Sequence, residues 1–261
     1  MMTQSAPWLV RFGGWIIAIF LILPFLAVIP VSFTDQVYLS LPKSGLSVAH
    51  YQKLLGDPTW SHAFFTSFWL ALASACTAVL LGTGCAISSW QIGGRPAQAM
   101  RFLVILPLII PTIVQALSLY RTWADIGILD SYTGIIIAHG VTGMPFVFIA
   151  VSSVLINLDR RLMMASQSLG ASPAQTLNWV ILPLLASGIL SGALFAFVHS
   201  FDEAVIILFI TSFGVETLPK KIWSTLRDDL TPVVACVSVL MGLATFVVIL
   251  IASNFKREAN N

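Results

Sequence analysis

Two neighbouring carboxylates, Asp202 and Glu203, interrupt a long apolar stretch in the C-terminal part of this 261-residue chain. A charge at the centre of a bilayer costs roughly 2.5 to 3.5 kcal/mol on insertion scales, so it needs water or a partner. One interpretation is that these acids, with Phe201 and His199, line a pathway and attract a cationic solute. The other interpretation is that these acids lie near the external surface of the bilayer, where water solvates them, or pair with a partner subunit. The two interpretations stay open.

No catalytic or metal site is predicted. His199, Ser200 and Asp202 are the residue types of a hydrolase triad, but they are close neighbours on one predicted helix. The chain has no G-x-x-x-x-G-K-[ST], H-E-x-x-H or G-x-S-x-G pattern and no paired cysteines. We interpret His139 and His199 as interior histidines rather than ligands. We expect no cofactor in this chain, so any ATP that drives it must bind to another subunit.

The composition indicates a membrane protein. Hydrophobic residues make up 57% of the chain and charged residues 9%, whereas roughly 25% are charged in a soluble domain. A bilayer accepts apolar side chains on the outside of a helix, which a soluble fold cannot. The net charge of +2 and the absence of a basic cluster exclude nucleic acid as a partner.

Six apolar segments are long enough to cross a bilayer, which takes about 20 helical residues. They cover residues 13–33, 62–88, 102–120, 133–155, 184–211 and 233–253. We therefore predict an all-α membrane protein with six transmembrane helices in one domain, residues 1–261. Prolines inside these segments should kink them, namely Pro24, Pro30, Pro107, Pro111 and Pro145.

An even number of spans places both termini on the same side of the membrane. Cytoplasmic termini would put seven Lys and Arg residues inside and six outside. This excess of one residue is in the direction that the positive-inside rule expects. The inside set is Arg11, Arg95, Arg101, Arg160, Arg161, Lys256 and Arg257. The outside set is Lys43, Lys53, Arg121, Lys220, Lys221 and Arg227. The connection between spans four and five would then face the cytoplasm.

That connection, residues 157–183, has the start and stop signals of two short helices. Asp159 can cap the first, and Gly170 can end it in the left-handed conformation that glycine adopts without penalty. Ser172 followed by Pro173 is a common helix start, with serine at the cap and proline at the first helical position. We predict a helix, a tight glycine turn and a second helix that leads to Pro183.

This pattern resembles the cytoplasmic EAA loop of ABC importer permeases, in which Glu-Ala-Ala is followed by Gly and then by Ile-x-Leu-Pro. The corresponding residues here are Met164-Ala165-Ser166, Gly170 and Val180-Ile181-Leu182-Pro183. Met164 replaces the glutamate, so the charged contact that the family's loop can make to the ATPase is in doubt. The resemblance implies that coupling to the ATPase involves Met164, Ala165, Ser166, Leu169, Gly170, Ala171, Ser172 and Pro173.

The resemblance extends over most of the chain and is greatest to the second permease of spermidine and putrescine importers. It is carried by Leu106-Pro107, Met144-Pro145-Phe146, Ser200-Phe201-Asp202-Glu203 and Leu218-Pro219-Lys-Lys-Ile-Trp223. It implies the type I importer permease fold, in a multi-pass protein of the bacterial inner membrane. Implied partners are a second permease, two ATPase subunits that bind ATP and Mg, a periplasmic binding protein and membrane lipid.

Two other function classes remain as alternatives. A channel or ion-coupled secondary transporter would need no ATPase and should show inverted repeats, of which we find no sign in the sequence. A membrane scaffold would have no pathway at all. Co-purification separates these alternatives from a permease, which should assemble with a second membrane subunit and an ATPase.

Overall fold

The computed structural model describes residues 8–159 and 161–258, without the side chains of Leu9 and 247–258. These residues form helices and contain no strand, so the predicted all-α class is confirmed for the described chain. In order, the helices are α1 (Trp8–Ser32), α2 (Ala49–Gly56), α3 (Pro58–Ile92), α4 (Gly94–Ile109), α5 (Thr112–Ile126), α6 (Tyr132–Leu155), α7 (Arg161–Ser168), α8 (Pro173–Thr176), a π-helical turn (Leu177–Ile181), α9 (Leu182–Leu184), α10 (Ala186–Asp202), α11 (Val205–Ile210), α12 (Leu218–Asp228) and α13 (Val233–Glu258).

Three of the described helices are long and apolar enough to cross a membrane: Val10–Ser32, Pro58–Ile92 and Tyr132–Leu155. Two bent pairs pass the same test, which gives up to five spans if each pair counts as one. The described part of α13 adds a shorter apolar helix, Val233–Phe246. Arg160 and the side chains of Lys256 and Arg257, which we counted as inside charges, lie outside the described residues.

The predicted third span is not a continuous helix. It covers parts of α4 and α5, which meet at Ile110 and Pro111 with a bend of 104°. Pro111 has no N–H to continue the hydrogen-bond ladder, which accounts for the break. The Gln115 side chain then donates hydrogen bonds of 2.7 Å to the carbonyls of Pro107 and Ile110. These bonds satisfy two acceptors that a broken helix would otherwise leave free in the membrane.

The chain divides into two compact units. In the unit formed by residues up to 61 and from 222 onward, α13 packs along α1 and α2. The Ser32 hydroxyl lies 2.8 Å from that of Tyr51, and the Cys236 thiol donates to the Ser32 carbonyl at 3.4 Å. In the following loop, the Asp35 carboxylate accepts hydrogen bonds from the backbone N–H groups of Lys43 and Ser44.

The unit of residues 62–221 is built around α6, which packs against α10 along its length. Glycines allow this close approach: a Cβ added to Gly192 would lie 2.6 Å from the Cα of Val147. On α3, a Cβ at Gly82 would lie 2.8 Å from the Met144 carbonyl oxygen. Small residues let membrane helices approach closely enough for van der Waals packing to hold them together. This rigid pair carries the candidate site at both of its ends.

Candidate functional site

Residues 157–183 adopt the helix, turn and helix that the local signals predict. The Asp159 carboxylate accepts the Arg161 N–H at 2.9 Å, just before α7. Gly170 has a φ of 87°, its N–H donates to the Gln167 carbonyl, and the Ala171 N–H donates to the Ser166 carbonyl. This pair of bonds is the Schellman motif, which ends a helix on a left-handed residue.

The second helix starts as Ser172 and Pro173 predict. The Ser172 hydroxyl accepts the Gln175 N–H, and the Gln175 side chain accepts the Ser172 N–H, which completes a capping box. The two helices are joined by their side chains as well as by the turn. The hydroxyls of Ser166 and Thr176 are 2.6 Å apart, and Thr176 is 2% exposed. Ser166, which replaces an alanine of the EAA pattern, therefore fixes the angle of the helix pair.

From residue 162 onward, the outer face of this helix pair is open and carries apolar and uncharged polar side chains. Met164 is 59% exposed and Leu169 is 89% exposed, while Ala165, Ser172 and Pro173 are exposed as well. On the inner face, Met163 and Leu177 pack against the core formed with α6 and α10. The eight residues predicted to couple to an ATPase are therefore brought together in one rigid element. Their contact with a partner stays a prediction.

The predicted fifth span is interrupted at the two acids. α10 ends at Asp202, Glu203 is extended, and α11 starts at Val205. The Glu203 carboxylate accepts the Ile206 N–H at 3.0 Å, so it caps α11. A single helix over 184–211 is therefore wrong, because the chain breaks where a glutamate can satisfy the start of a second helix. Glu203 has a structural role that the sequence did not indicate.

Asp202 differs from Glu203 in that its side chain is exposed. Beside it, the Phe201 ring stacks on Phe197 with centroids 5.9 Å apart and meets Phe64 edge-on at 6.0 Å. α10 therefore ends with an exposed carboxylate that follows, in sequence, a member of an aromatic cluster. A carboxylate and ring faces are both attractive to an organic cation.

The two histidines link α6 to α10. His139 Nδ1 lies 2.8 Å from the Ser200 hydroxyl, and His199 Nε2 lies 3.1 Å from the Thr142 hydroxyl. His139 is 1% exposed, in line with the interior position that we predicted. His199 is half-buried with its ring 5.2 Å from that of Phe146, so it faces α6. Its inclusion among pathway residues stays a prediction.

A third cluster of hydrogen bonds lies just after α11, in the loop of residues 211–217. Asp130, between α5 and α6, has a φ of 53°, and its carboxylate accepts three successive backbone N–H groups. The donors are Ser212 at 3.0 Å, Phe213 at 3.2 Å and Gly214 at 2.9 Å. The Asp130 N–H in turn donates to the Ile210 carbonyl at 2.9 Å. Residue 130 thus holds a loop more than 80 positions later in the chain.

Lys220 holds the same loop by its carbonyls. Its ammonium donates to the Thr211 hydroxyl at 2.9 Å and to the carbonyls of Ser212 at 2.6 Å and Val215 at 2.9 Å. Burial acts to raise the pKa of Asp130, but the Gly214, Ser212 and Phe213 N–H donors and Lys220 outweigh it and lower that pKa. Burial lowers the pKa of Lys220, and Asp130 partly opposes this effect.

Comparison with known proteins identifies the family. Residues 78–259 match the binding-protein-dependent transport system inner membrane component family. The chain belongs to this family. This permease is 27% identical over 247 residues to the spermidine/putrescine transport system permease protein PotC of Haemophilus influenzae, covering 95% of this chain and 96% of that protein. It is 30% identical over 233 residues to the putrescine transport system permease protein PotI of Escherichia coli, covering 85% and 81%.

The fold of the permease also matches a solved transporter. A chain of a bacterial ABC transporter involved in the import of the acidic polysaccharide alginate superposes with a TM-score of 0.71. The match covers 98% of this permease and 99% of that chain at 15% identity, which shows the shared fold alone. The predicted identity as a permease subunit of an ABC importer is confirmed by the family match and the relatives.

Sequence reasoning missed several features of this permease, among them the Glu203 hydrogen bond that starts α11. The hydroxyls of Ser166 and Thr176 pair across a turn that the sequence predicts, so this hydrogen bond could have been anticipated. Asp130 and Lys220 carried no local signal, because their partners lie in a distant loop or at a bend. Among the described residues, no group of three or more His, Cys, Asp or Glu side chains could hold a metal ion.

Proposed function

We propose that this permease forms one half of the translocation pathway of a polyamine importer, and that two ATPase subunits drive it through residues 157–183. The observation that carries the proposal is the hydrogen-bonded helix pair around Gly170, whose uncharged outer face exposes Met164 and Leu169. A rigid element seated in a cleft transmits closure of an ATPase pair as a rigid-body movement of the attached helices. Uncoupling should follow from any change that loosens the turn.

The contact with the ATPase is expected to be apolar. Residues 162–201 contain no Asp, Glu, Lys or Arg, and Met164 occupies the position of the EAA glutamate. An interface without charges is insensitive to ionic strength, because salt screens only the interaction between charges. Met164 and Leu169 supply the apolar area on this side, and methionine adapts its shape to an irregular cleft.

The proposed solute class rests on the relatives and on Asp202. The similar proteins PotC and PotI are named for spermidine/putrescine and putrescine transport. A polyamine is a chain of methylene groups with ammonium charges, so it suits an exposed carboxylate beside stacked rings. Asp202 and Phe201 offer this combination. Glu203 has its carboxylate engaged as a helix cap, and we assign it no contact with solute.

The rest of the assembly follows from the family. We propose a heterodimer with a second, non-identical permease, served by a periplasmic binding protein in the bacterial inner membrane. This chain would contribute one domain with six spans, with the bent pairs α4 with α5 and α8–α9 with α10 each counted as one. Both termini and residues 157–183 would face the cytoplasm, and ATP with Mg would bind only to the ATPase subunits.

Co-purification with and without partners tests this proposal. Tagged permease should bring down a second membrane subunit and an ATPase, and proteoliposomes should take up polyamine only with ATP and the binding protein. A matched sample without the ATPase should show no uptake. Uptake by this chain alone would overturn the proposal in favour of an ion-coupled transporter or channel.

The solute contact is tested by two amide variants. Asp202→Asn removes an exposed charge and should raise the polyamine concentration that half-saturates ATPase stimulation. Glu203→Gln keeps an acceptor oxygen for the Ile206 N–H and serves as the control with the same loss of charge nearby. Unchanged kinetics in Asp202→Asn, or equal effects in both variants, would remove Asp202 from the pathway.

A further inference from the structure

The loop of residues 211–217 presents one fully exposed aromatic ring on a rigid backbone. Phe213, at its tip, has no cover from the described residues. Around the ring, the backbone is held by three N–H bonds to Asp130 and by two carbonyl bonds from Lys220, which also donates to the Thr211 hydroxyl. An added Cβ at Gly214 would lie 3.1 Å from the Asp130 carboxylate, so any larger residue there would require Asp130 to shift.

This arrangement is suited to a partner of defined shape. Lipid is fluid and accepts an aromatic ring in any orientation, so contact with lipid alone gives no reason to fix the backbone. A preorganised loop loses little conformational entropy when it binds, which increases affinity for a structured surface. Exposed aromatic residues at such positions are frequent anchors of protein interfaces. The geometry therefore favours a folded protein as the occupant.

The position of the loop selects among protein partners. Residues 157–183 precede α10, and the 211–217 loop follows α11, so one crossing of the membrane separates them. If the first segment meets the ATPase, the loop emerges on the face where solute arrives. The polar neighbours Ser212, Asp130 and Lys220 are suited to water rather than to the bilayer interior.

We propose that Phe213 is a contact for the soluble protein that delivers solute, and that Asp130 is a positioning residue that holds Phe213 for this contact. The inference rests on the proposed function, because it needs an importer supplied by a binding protein. It assigns a role to the most exposed large apolar side chain among the described residues and to a carboxylate that accepts three successive backbone N–H groups. Lys220 completes the device by fixing the carbonyls of the same loop.

The test uses the complete complex in proteoliposomes and varies the concentration of solute-loaded binding protein. Phe213→Ala should raise the half-saturating concentration about tenfold, as loss of an interface anchor does, and leave the maximal uptake rate unchanged. Asp130→Asn should raise it roughly threefold, because an amide supplies fewer acceptors for the three N–H groups. Asp125→Asn, an exposed acid paired with Arg121 on α5, is the matched control and should have no effect.

The outcomes separate this inference from the proposed function. Phe213→Trp should restore binding, since it keeps an aromatic anchor, and basal ATPase activity should be equal in all variants. An unchanged half-saturating concentration in Phe213→Ala overturns the inference. A lower maximal uptake rate, or loss of the second permease from the purified complex, also overturns it, because either result would assign Phe213 to assembly. Uptake by the unaltered complex that needs no binding protein overturns the proposed function itself.

Discussion

Replacement of Gly170 by valine should abolish both uptake and the stimulation of ATPase activity by solute, while the permease stays in the membrane. No atom lies within 4 Å of a Cβ added at this position, so the penalty comes from the backbone. A residue with a side chain at a φ of 87° is strained by about 1–2 kcal/mol, and β-branched valine is among the least tolerant.

The turn also loses hydrogen bonds when the backbone leaves this conformation. The bonds from Gly170 to Gln167 and from Ala171 to Ser166 contribute about 1 kcal/mol each. Because the bonds are the same in both proteins, the strain of about 1–2 kcal/mol alone shifts the equilibrium, by about 5- to 30-fold, toward conformations that lack them. The two helices would then no longer move as one body, although the spans on either side keep their packing.

The assay compares uptake and solute-stimulated ATPase activity in proteoliposomes with equal amounts of complex. Gly170→Val should lose most of both activities, in keeping with the roughly 5- to 30-fold shift of the turn equilibrium. Gly170→Asn is the control, because asparagine tolerates the left-handed region better than other residues with side chains. Full transport by the valine variant would refute the coupling role, and equal loss in both variants would refute the conformational reasoning.

Three further predictions concern packing, hydrogen bonding and pH. Gly82→Ala should lower the thermal unfolding midpoint because its Cβ clashes with α6, at a cost of about 1–3 kcal/mol, whereas Gly84→Ala, which meets no atom within 4 Å, should not. Ser166→Ala leaves the buried Thr176 hydroxyl unpaired and should reduce the stimulation of ATPase activity. The double variant with Thr176→Val has no unpaired hydroxyl and should regain part of that stimulation. A double variant that loses the sum of the two single losses would contradict this reasoning. The pKa of Asp130 in the folded protein lies below the 3.8 of a free aspartate. Hydrogen-exchange protection of the amides of residues 212–214 should therefore be complete above pH 3.8 and be lost only as the pH falls through the folded pKa. Loss of this protection near neutral pH would contradict the prediction.

Local rules predicted the conformation of residues 161–183 well, because it depends on residues close together in sequence. A glycine that ends a helix and a serine followed by proline that starts one act through their own backbones, and both occur where expected. Hydropathy also located most of the apolar helices. These signals depend on composition and spacing, which a single sequence contains.

The breaks in the third and fifth apolar segments could not be predicted in the same way. Pro111 indicated a kink, but the 104° bend depends on where the Gln115 amide finds carbonyls to bind. Near Glu203 there is neither proline nor glycine, and its capping role depends on a helix start that hydropathy does not reveal. The clamp at Asp130 joins positions 82 to 84 residues apart, so no local pattern could contain it.

Methionine at position 164 makes this segment sensitive to oxidation, whereas a glutamate would make it sensitive to ionic strength. A glutamate on the docking face would make assembly depend on ionic strength, whereas the exposed Met164 thioether is open to peroxide. Oxidation to the sulfoxide would place a polar group on an otherwise uncharged surface. Import by this permease should therefore decline under oxidative stress, recover with methionine sulfoxide reductase, and become resistant in Met164→Leu; equal peroxide sensitivity in that variant would assign the damage elsewhere.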